Sequence, residues 1–483
     1  MISTGVTPET IRRVTGPAGD PAALLRSRGY LVLLVFAAVL GVPVSAAAYG
    51  FLALVDYLQK EIFVHWPHGL GYSNAPIWWP LPILAVGGVA VALAIRYLPG
   101  DGGPSPAHGF QVHKPPTPAQ LPGMVLAAVA TLSFGIVLGP EAPLIALGGG
   151  MGVAATRLLS ASRLAKHGHA GNGLPDQAVQ MVASSGSFAA ISALLGSPIV
   201  GAFLLMEASG LGGAMLGLVL VPGLLASAVG SLIFTGLGHW TGLGTFSLAI
   251  PGLPHVGTPT IGEFGWALLV GLVCALVGSG IRRAAPALRK FVISRNIMIA
   301  LPVAGLVVGG LAVAFAAGSG KSDRLVLFSG QSALGPLLIH SATYSALVLL
   351  AVIACKAIAY VVSLSSFRGG PIFPSLFIGA AIGLLISRLP GLDPVAGAAM
   401  GMGAIAAVML TLPLTSVLLA TLVLYSDGVR VMALVIVAVV VAYVIGARLA
   451  PKPAPDPSPE PSTAGPPGSA PGTPAAAPKS SPA

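Results

Sequence analysis

The sequence predicts an all-α, polytopic membrane protein built from two related halves with discontinuous helices. Three observations carry that prediction. Of its 483 residues 55% are hydrophobic and only 8% charged, whereas a soluble domain carries about a quarter charged residues. Apolar runs long enough to cross about 30 Å of hydrocarbon recur along the whole chain. One Gly/Pro phrase also occurs twice, at Gly139 and again at Gly370.

Taken in order, the long runs lie at 30–55, 78–98, 122–138, 213–236, 265–281, 297–317, 345–364 and 429–449. Each is read as a span. Shorter or Gly/Pro-broken segments lie near 141–158, 178–207, 371–389 and 395–425. Such pieces are tolerated at membrane depth only when buried in protein or lining a cavity, which favours a transporter or channel over a simple bundle. Residues 1–29 are polar and read as a cytoplasmic segment without a cleavable leader. The membrane domain then covers 30–449, in halves of about 30–240 and 260–449, and the Pro/Ala/Ser-rich stretch 450–483 reads as a disordered cytoplasmic tail.

The formal charge of +10 is clustered. Arg12, Arg13, Arg26 and Arg28 precede the first run, Arg157, Arg163 and Lys166 form a second group, and Arg282, Arg283, Arg289, Lys290 and Arg295 a third. The positive-inside rule puts all three groups on the cytoplasmic face of a cell (inner) membrane. The basic balance therefore reports topology, and nucleic acid is not an expected partner. Cys274 and Cys355 both sit in apolar sequence and read as small hydrophobes. His167 and His169 read as loop residues, so neither a metal nor a cofactor is expected.

Gly139-Pro140-Glu141-Ala142-Pro143-LIALGGGMG aligns without a gap on Gly370-Pro371-Ile372-Phe373-Pro374-SLFIGAAIG. A weaker echo sets Gly186, Ala189 and Pro198 against Gly401, Ala404 and Pro413. Proline suits a helix's first turn, where a missing N–H costs nothing, and the glycines that follow let helices approach closely. Each phrase therefore reads as a helix that starts inside the membrane. Duplicated halves of transporters meet near the midplane through such ends, and two converging N-termini make an anion site.

Glu141 falls in the first turn of one of them. A charge at bilayer depth costs about 2.5–3.5 kcal/mol on insertion scales, and a helix end recovers only about 0.3–1 kcal/mol, at most about 2. The bland reading is a cap at a wet surface. The sharper one is a carboxylate that competes with an anion for the same helix terminus. Glu207 is the other deep acid, while Asp56, Glu61 and Glu263 lie near segment ends. Lys356, alone in an apolar run, reads as a partner for a buried acid or carbonyl, or as a snorkelling side chain.

These residues resemble the CLC family of chloride channels and proton-coupled anion exchangers. The pattern G-x-E-x-P is similar to Gly139–Pro143, and G-G-x-F-x-P-S-L-F-I-G to Gly369–Gly379. "SPIVGAFLLME" from Ser197, "PLTSVLLATLVL" from Pro413 and the G-S-G-I-P position at Gly102–Pro106 complete the set, over about 30–449. The resemblance implies an inverted-repeat homodimer with one anion pathway per subunit and Glu141 as its gate. It implies an anion site drawn from Gly103, Ser105, Gly139, Pro140, Ala142, Gly370, Ile372 and Phe373, carrying chloride, fluoride or another small anion, with or without protons.

The departures resemble a divergent bacterial branch of ion-transport proteins. Gly103 stands where the family has a serine, with Ser105 two positions on. Pro371 and Ile372 take the places of anion-facing amides, so one donor is lost. Arg368 could compensate, though a surface arginine is the reading preferred. No tyrosine matches the one that reaches the inner site, because Tyr425 and Tyr443 come too early. The family's second glutamate falls at Ala208, leaving Glu207 as a candidate proton relay or a fold-holding acid. Rival classes fare worse. A cation or organic-solute transporter wants more buried acids, an intramembrane enzyme a buried Ser/His or paired-Asp set, and a scaffold has no use for broken helices. The chain is therefore read as a non-enzyme.

Overall fold

The computed structural model describes residues 26–450, apart from 112, 168–175, 211–213 and 245–246. Arg12, Arg13, His169 and the tail from 451 lie outside the described residues, as do the side chains of Arg163, Lys166 and His167.

Helix α1 (Arg28–Lys60) starts where the Ser27 hydroxyl accepts the Tyr30 N–H at 3.1 Å, and runs on through a π-turn at Glu61–His65. Next come α2 (Pro80–Tyr97) and α3 (Leu121–Ser133). Then follow α4 (Glu141–His167), α5 (Asp176–Leu195), the short α6 (Pro198–Ser209) and α7 (Ala214–Thr241). The sequence reading of 141–158 and 178–207 as broken pieces is corrected in part, since α4 and α5 each hold a span-length apolar stretch. The middle of the chain forms α8 (Ile261–Ile293), α9 (Ile297–Ser319), the short α10 (Gln331–Ile339) and α11 (Ala346–Ser366). Three shorter helices, α12 (Ile372–Ile386), α13 (Pro394–Leu410) and α14 (Pro413–Val423), precede the span-length α15 (Gly428–Leu449). Among the described residues nine helices are long and apolar enough to cross a membrane.

Two acids near segment ends have local roles. Glu263 closes a capping box with Thr260 at the start of α8, and Asp56 pairs with Lys60 at 2.7 Å. The third basic group lies beside the chain's last helix, since Arg283 donates to the Leu449 carbonyl and Arg282 to that of Val408.

One expected span is corrected. The run 122–138 is not a continuous helix, because α3 stops at Ser133 and Gly135 takes a left-handed φ of +92°. The stretch is apolar because protein surrounds it: Ile136, Val137 and Leu138 are fully buried. Its backbone is satisfied from a distance, the Val137 N–H donating to the Ser363 hydroxyl of α11 at 3.2 Å.

Both internal echoes meet in the packing. Gly148 of α4 lies against Gly186 of α5, and Gly379 of α12 against Gly401 of α13, each so close that a Cβ would strike the opposing carbonyl. The strong repeat relates Gly148 to Gly379, and the weak echo relates Gly186 to Gly401. The same helix contact is thus made twice, which supports a shared origin for the weak echo too. Pro198 and Pro413, related likewise, open α6 and α14. Gly379→Ala should therefore lower the thermal midpoint of the detergent-purified protein, overpacking costing about 1–3 kcal/mol. Gly310→Ala in α9, where a Cβ meets open space, should not lower it.

Candidate functional site

The two repeated phrases face each other. Gly139 and Gly370 exchange both backbone hydrogen bonds, 2.8 Å from the Gly139 N–H and 2.6 Å from the Gly370 N–H, as an isolated antiparallel bridge. The bridge holds the N-termini of α4 and α12 together. Pro371 caps α12, and the Leu144 N–H returns to the Pro140 carbonyl at 3.0 Å, so each helix opens directly after its Gly-Pro pair.

Glu141 is fully buried at this junction. Its Oε1 accepts the Phe373 N–H of the opposing helix at 2.8 Å, while its Oε2 has no hydrogen-bond partner. None of the ion pairs among the described residues includes it. Its carboxylate therefore stands on the partial positive charge of a facing helix end. Gly139 and Gly370 contribute space here, since a Cβ on either would overlap the carboxylate. Both belong to the expected anion site, and the amide of each donates to the other's carbonyl.

Two cavities approach the junction. The larger, about 370 Å³, is lined by Gly103, Ala142 and Ile145 among others; the smaller, about 270 Å³, by Leu138, Pro140 and Phe328. Glu141 lines neither and lies between them in the chain. Gly103 and Ala142 thus reach the larger cavity and Pro140 the smaller, while Ile372 and Phe373 are buried at the helix end beside Glu141. Ser105 does not reach either wall. Its hydroxyl accepts the Ala107 N–H at 3.4 Å as a local cap.

Arg368 corrects the reading of a surface arginine. It is buried, donating to the Asp101 carbonyl at 3.3 and 3.4 Å and to the Phe367 carbonyl at 3.4 Å. The polar run Ser-Ser-Phe-Arg-Gly-Gly has the composition of a surface loop, but this loop lies inside the fold and ties the 101–106 turn to the second Gly-Pro phrase. Tyr425 and Tyr443 are both exposed, and neither is among the residues lining these two cavities.

Glu207 makes three hydrogen bonds to the start of a neighbouring helix. Its carboxylate accepts the Leu414 N–H at 3.0 Å, the Thr415 N–H at 2.8 Å and the Thr415 hydroxyl at 2.6 Å, capping α14 from α6. A basic partner, the fold-holding role expected of it, is replaced by helix amides.

Lys356 meets carbonyls, one of the partners expected of it, while sequence reasoning missed Tyr360 and Ser363 on the same stripe of α11. Lys356 donates to four carbonyls, those of Leu325, Val326 and Leu327 at 3.1 Å and Phe328 at 3.3 Å. One turn on, the buried Tyr360 hydroxyl donates to the Pro371 carbonyl at 2.7 Å, and Ser363 receives Val137 as described. Positions 356, 360 and 363 share a helix face at i, i+4 and i+7 spacing. That spacing was the available signal.

The fold and the junction define a membrane transport protein whose two inverted halves present facing helix ends to a buried acid. The profile of the family described as "Voltage gated chloride channel" matches residues 86–447, and the chain belongs to that family. It is 29% identical over 365 residues to the "Putative ion-transport protein YfeO" of Escherichia coli (strain SMS-3-5 / SECEC), covering 75% of this chain and 80% of that protein. The protein of the same name from Salmonella schwarzengrund (strain CVM19633) is 28% identical over 372 residues, covering 75% and 82%. Among solved structures, a slow cyanobacterial Cl⁻/H⁺ antiporter superposes with a TM-score of 0.71 at 18% identity, over 87% of this chain and 95% of that one. A CLC-type fluoride/proton antiporter superposes at 0.63 and 19%, over 87% and 96%. These likenesses establish a CLC fold.

Proposed function

We propose that the chain passes small anions across a cell inner membrane, with Glu141 as the gate and without stoichiometric proton coupling. One observation carries the reading: a fully buried carboxylate sits on an opposing helix N-terminus with an oxygen unpartnered. A side chain held for structure alone would have both oxygens satisfied. When the carboxylate takes up a proton it loses its attraction to the helix end, and an anion can replace it. The uncoupled reading is supported by Ala208 at the relay position and by the three bonds that tie Glu207 to α14. Both termini are read as cytoplasmic, and a second copy of the chain is the expected partner in the bilayer.

The test uses purified protein in chloride-loaded liposomes carrying an internal pH dye. Chloride efflux should exceed that of protein-free vesicles once valinomycin carries the counter-charge, with no uphill proton movement. Uphill proton movement would make the protein an exchanger whose relay is not Glu207. No anion efflux at all would end the transport reading.

A further inference from the structure

The junction is poor in hydrogen-bond donors. Proline stands immediately before each helix, at Pro140 and Pro371, and again at its third residue, at Pro143 and Pro374. Of the N–H groups a helix start leaves free, only those of the first two residues survive at each end: Glu141 and Ala142, Ile372 and Phe373. Neighbouring donors are already engaged. Gly139 and Gly370 bind each other, Val137 binds Ser363, and Leu138 donates to the Ile136 carbonyl. The Tyr360 hydroxyl goes to Pro371, and that of Ser187, on the larger cavity's wall, to the Ile145 carbonyl. The cations Arg368 and Lys356 are turned toward carbonyls.

Glu141 itself reports the deficit. As the anion stand-in it finds a donor for one oxygen and none for the other. The larger cavity, which reaches Ala142 next to it, is walled by Phe110, Met124, Ile145, Phe188 and Met206, with Gln111, Lys114, Gln120, Gln180 and Ser184 as its polar lining away from the helix ends.

We infer that the pathway selects weakly hydrated, charge-diffuse anions of the nitrate and thiocyanate class over chloride, and rejects fluoride. This rests on the anion-transport reading and names its substrate class. An ion entering the junction must exchange water for what the protein returns. Here that is at most four amides, with those of Phe373 and Ile372 from the opposing helix and Glu141's own turned toward the carboxylate, together with apolar contact. Fluoride holds its water most tightly among the halides and loses most. A large polarisable anion gives up little and gains dispersion contact with methionine and phenylalanine. Two helix ends and the buried Arg368 and Lys356, neither in an ion pair among the described residues, keep the region positive. It therefore selects for the sign of charge without repaying strong hydration.

The test is a flux series on the full chain in liposomes, with potassium nitrate, thiocyanate, chloride and fluoride at equal gradients and protein-free vesicles subtracted. Nitrate and thiocyanate should run at least about tenfold faster than fluoride, with chloride between, since each missing hydrogen bond is worth about a factor of ten. Pro371→Ala restores one amide at the junction and should raise the chloride-to-nitrate ratio. Chloride or fluoride running fastest would overturn the inference while leaving anion transport standing. A Pro371→Ala ratio equal to wild type would remove donor poverty as the cause. Flux of no anion above background would sink both readings together.

Discussion

Proteoliposomes carrying Glu141→Gln or Glu141→Ala are expected to pass anions about 10- to 100-fold faster than wild type near neutral pH, and to lose the wild type's rise in flux on acidification. The magnitude follows from what holds the carboxylate in place. A charged acceptor on a backbone N–H contributes about 1.5–3 kcal/mol and the helix end up to about 2 kcal/mol, against about 1.4 kcal/mol per factor of ten. In the wild type, protonation neutralises the side chain and weakens both terms, so flux should climb as pH falls. The glutamine keeps the volume and still accepts from Phe373, but carries no charge for the helix ends to hold. Stability should move the other way from an ordinary core substitution. Glu141 is buried with no cation in ion-pair range and one oxygen unsatisfied, an arrangement that costs folding energy. Glu141→Gln should therefore match or exceed the wild-type melting midpoint. A variant that melts earlier and conducts no faster would mark Glu141 as a structural cap and remove the gate.

The parts of this architecture written in local pattern were legible before any coordinates. Apolar run length gave the long spans, and proline followed by spaced glycines gave the two interrupted helices and their meeting point. The faint echo between Gly186 and Gly401 marks two glycines that make the same kind of close helix contact. What escaped was non-local. The run 122–138 has the composition of a span, yet its second part is irregular backbone buried by the other half, and hydropathy does not separate protein from lipid. Arg368 sits in a loop of surface-like composition that the fold turns inward. Ser105 offered a hydroxyl at nearly the right position, and only the local turn shows that it caps Ala107 and lines neither cavity. Lys356 was visible as an anomaly, but its partners lie some thirty residues away and are backbone carbonyls, which leave no trace in side-chain sequence.

Lys356→Met is expected to cost about 3–5 kcal/mol of stability, the range seen when one side of a buried charged contact is removed. The lysine is fully buried and its ammonium meets four consecutive carbonyls, with the Phe377 ring centroid 4.5 Å away. This is the inverse of a cation-binding loop in a channel filter, with the cation supplied by the protein itself. Methionine fills the space but leaves four carbonyls without their donor, at about 1–3 kcal/mol for each that stays unsatisfied. The same contact holds Phe328, whose φ of +58° is rare for a bulky residue. Three restraints keep it there: Lys356 on its carbonyl, its own N–H on the Gly135 carbonyl at 3.0 Å, and an edge-on Phe63 ring at 5.0 Å. Because Phe328 and Ser329 line the smaller cavity, loss of the ammonium should loosen that wall as well. The check is paired. Thermal unfolding in detergent should show the lower midpoint, and a cysteine at Ser329 should react faster with an aqueous thiol reagent in the Lys356→Met background. A methionine variant as stable as wild type, with unchanged labelling, would mean that the carbonyls find other donors and that Lys356 does not hold this wall.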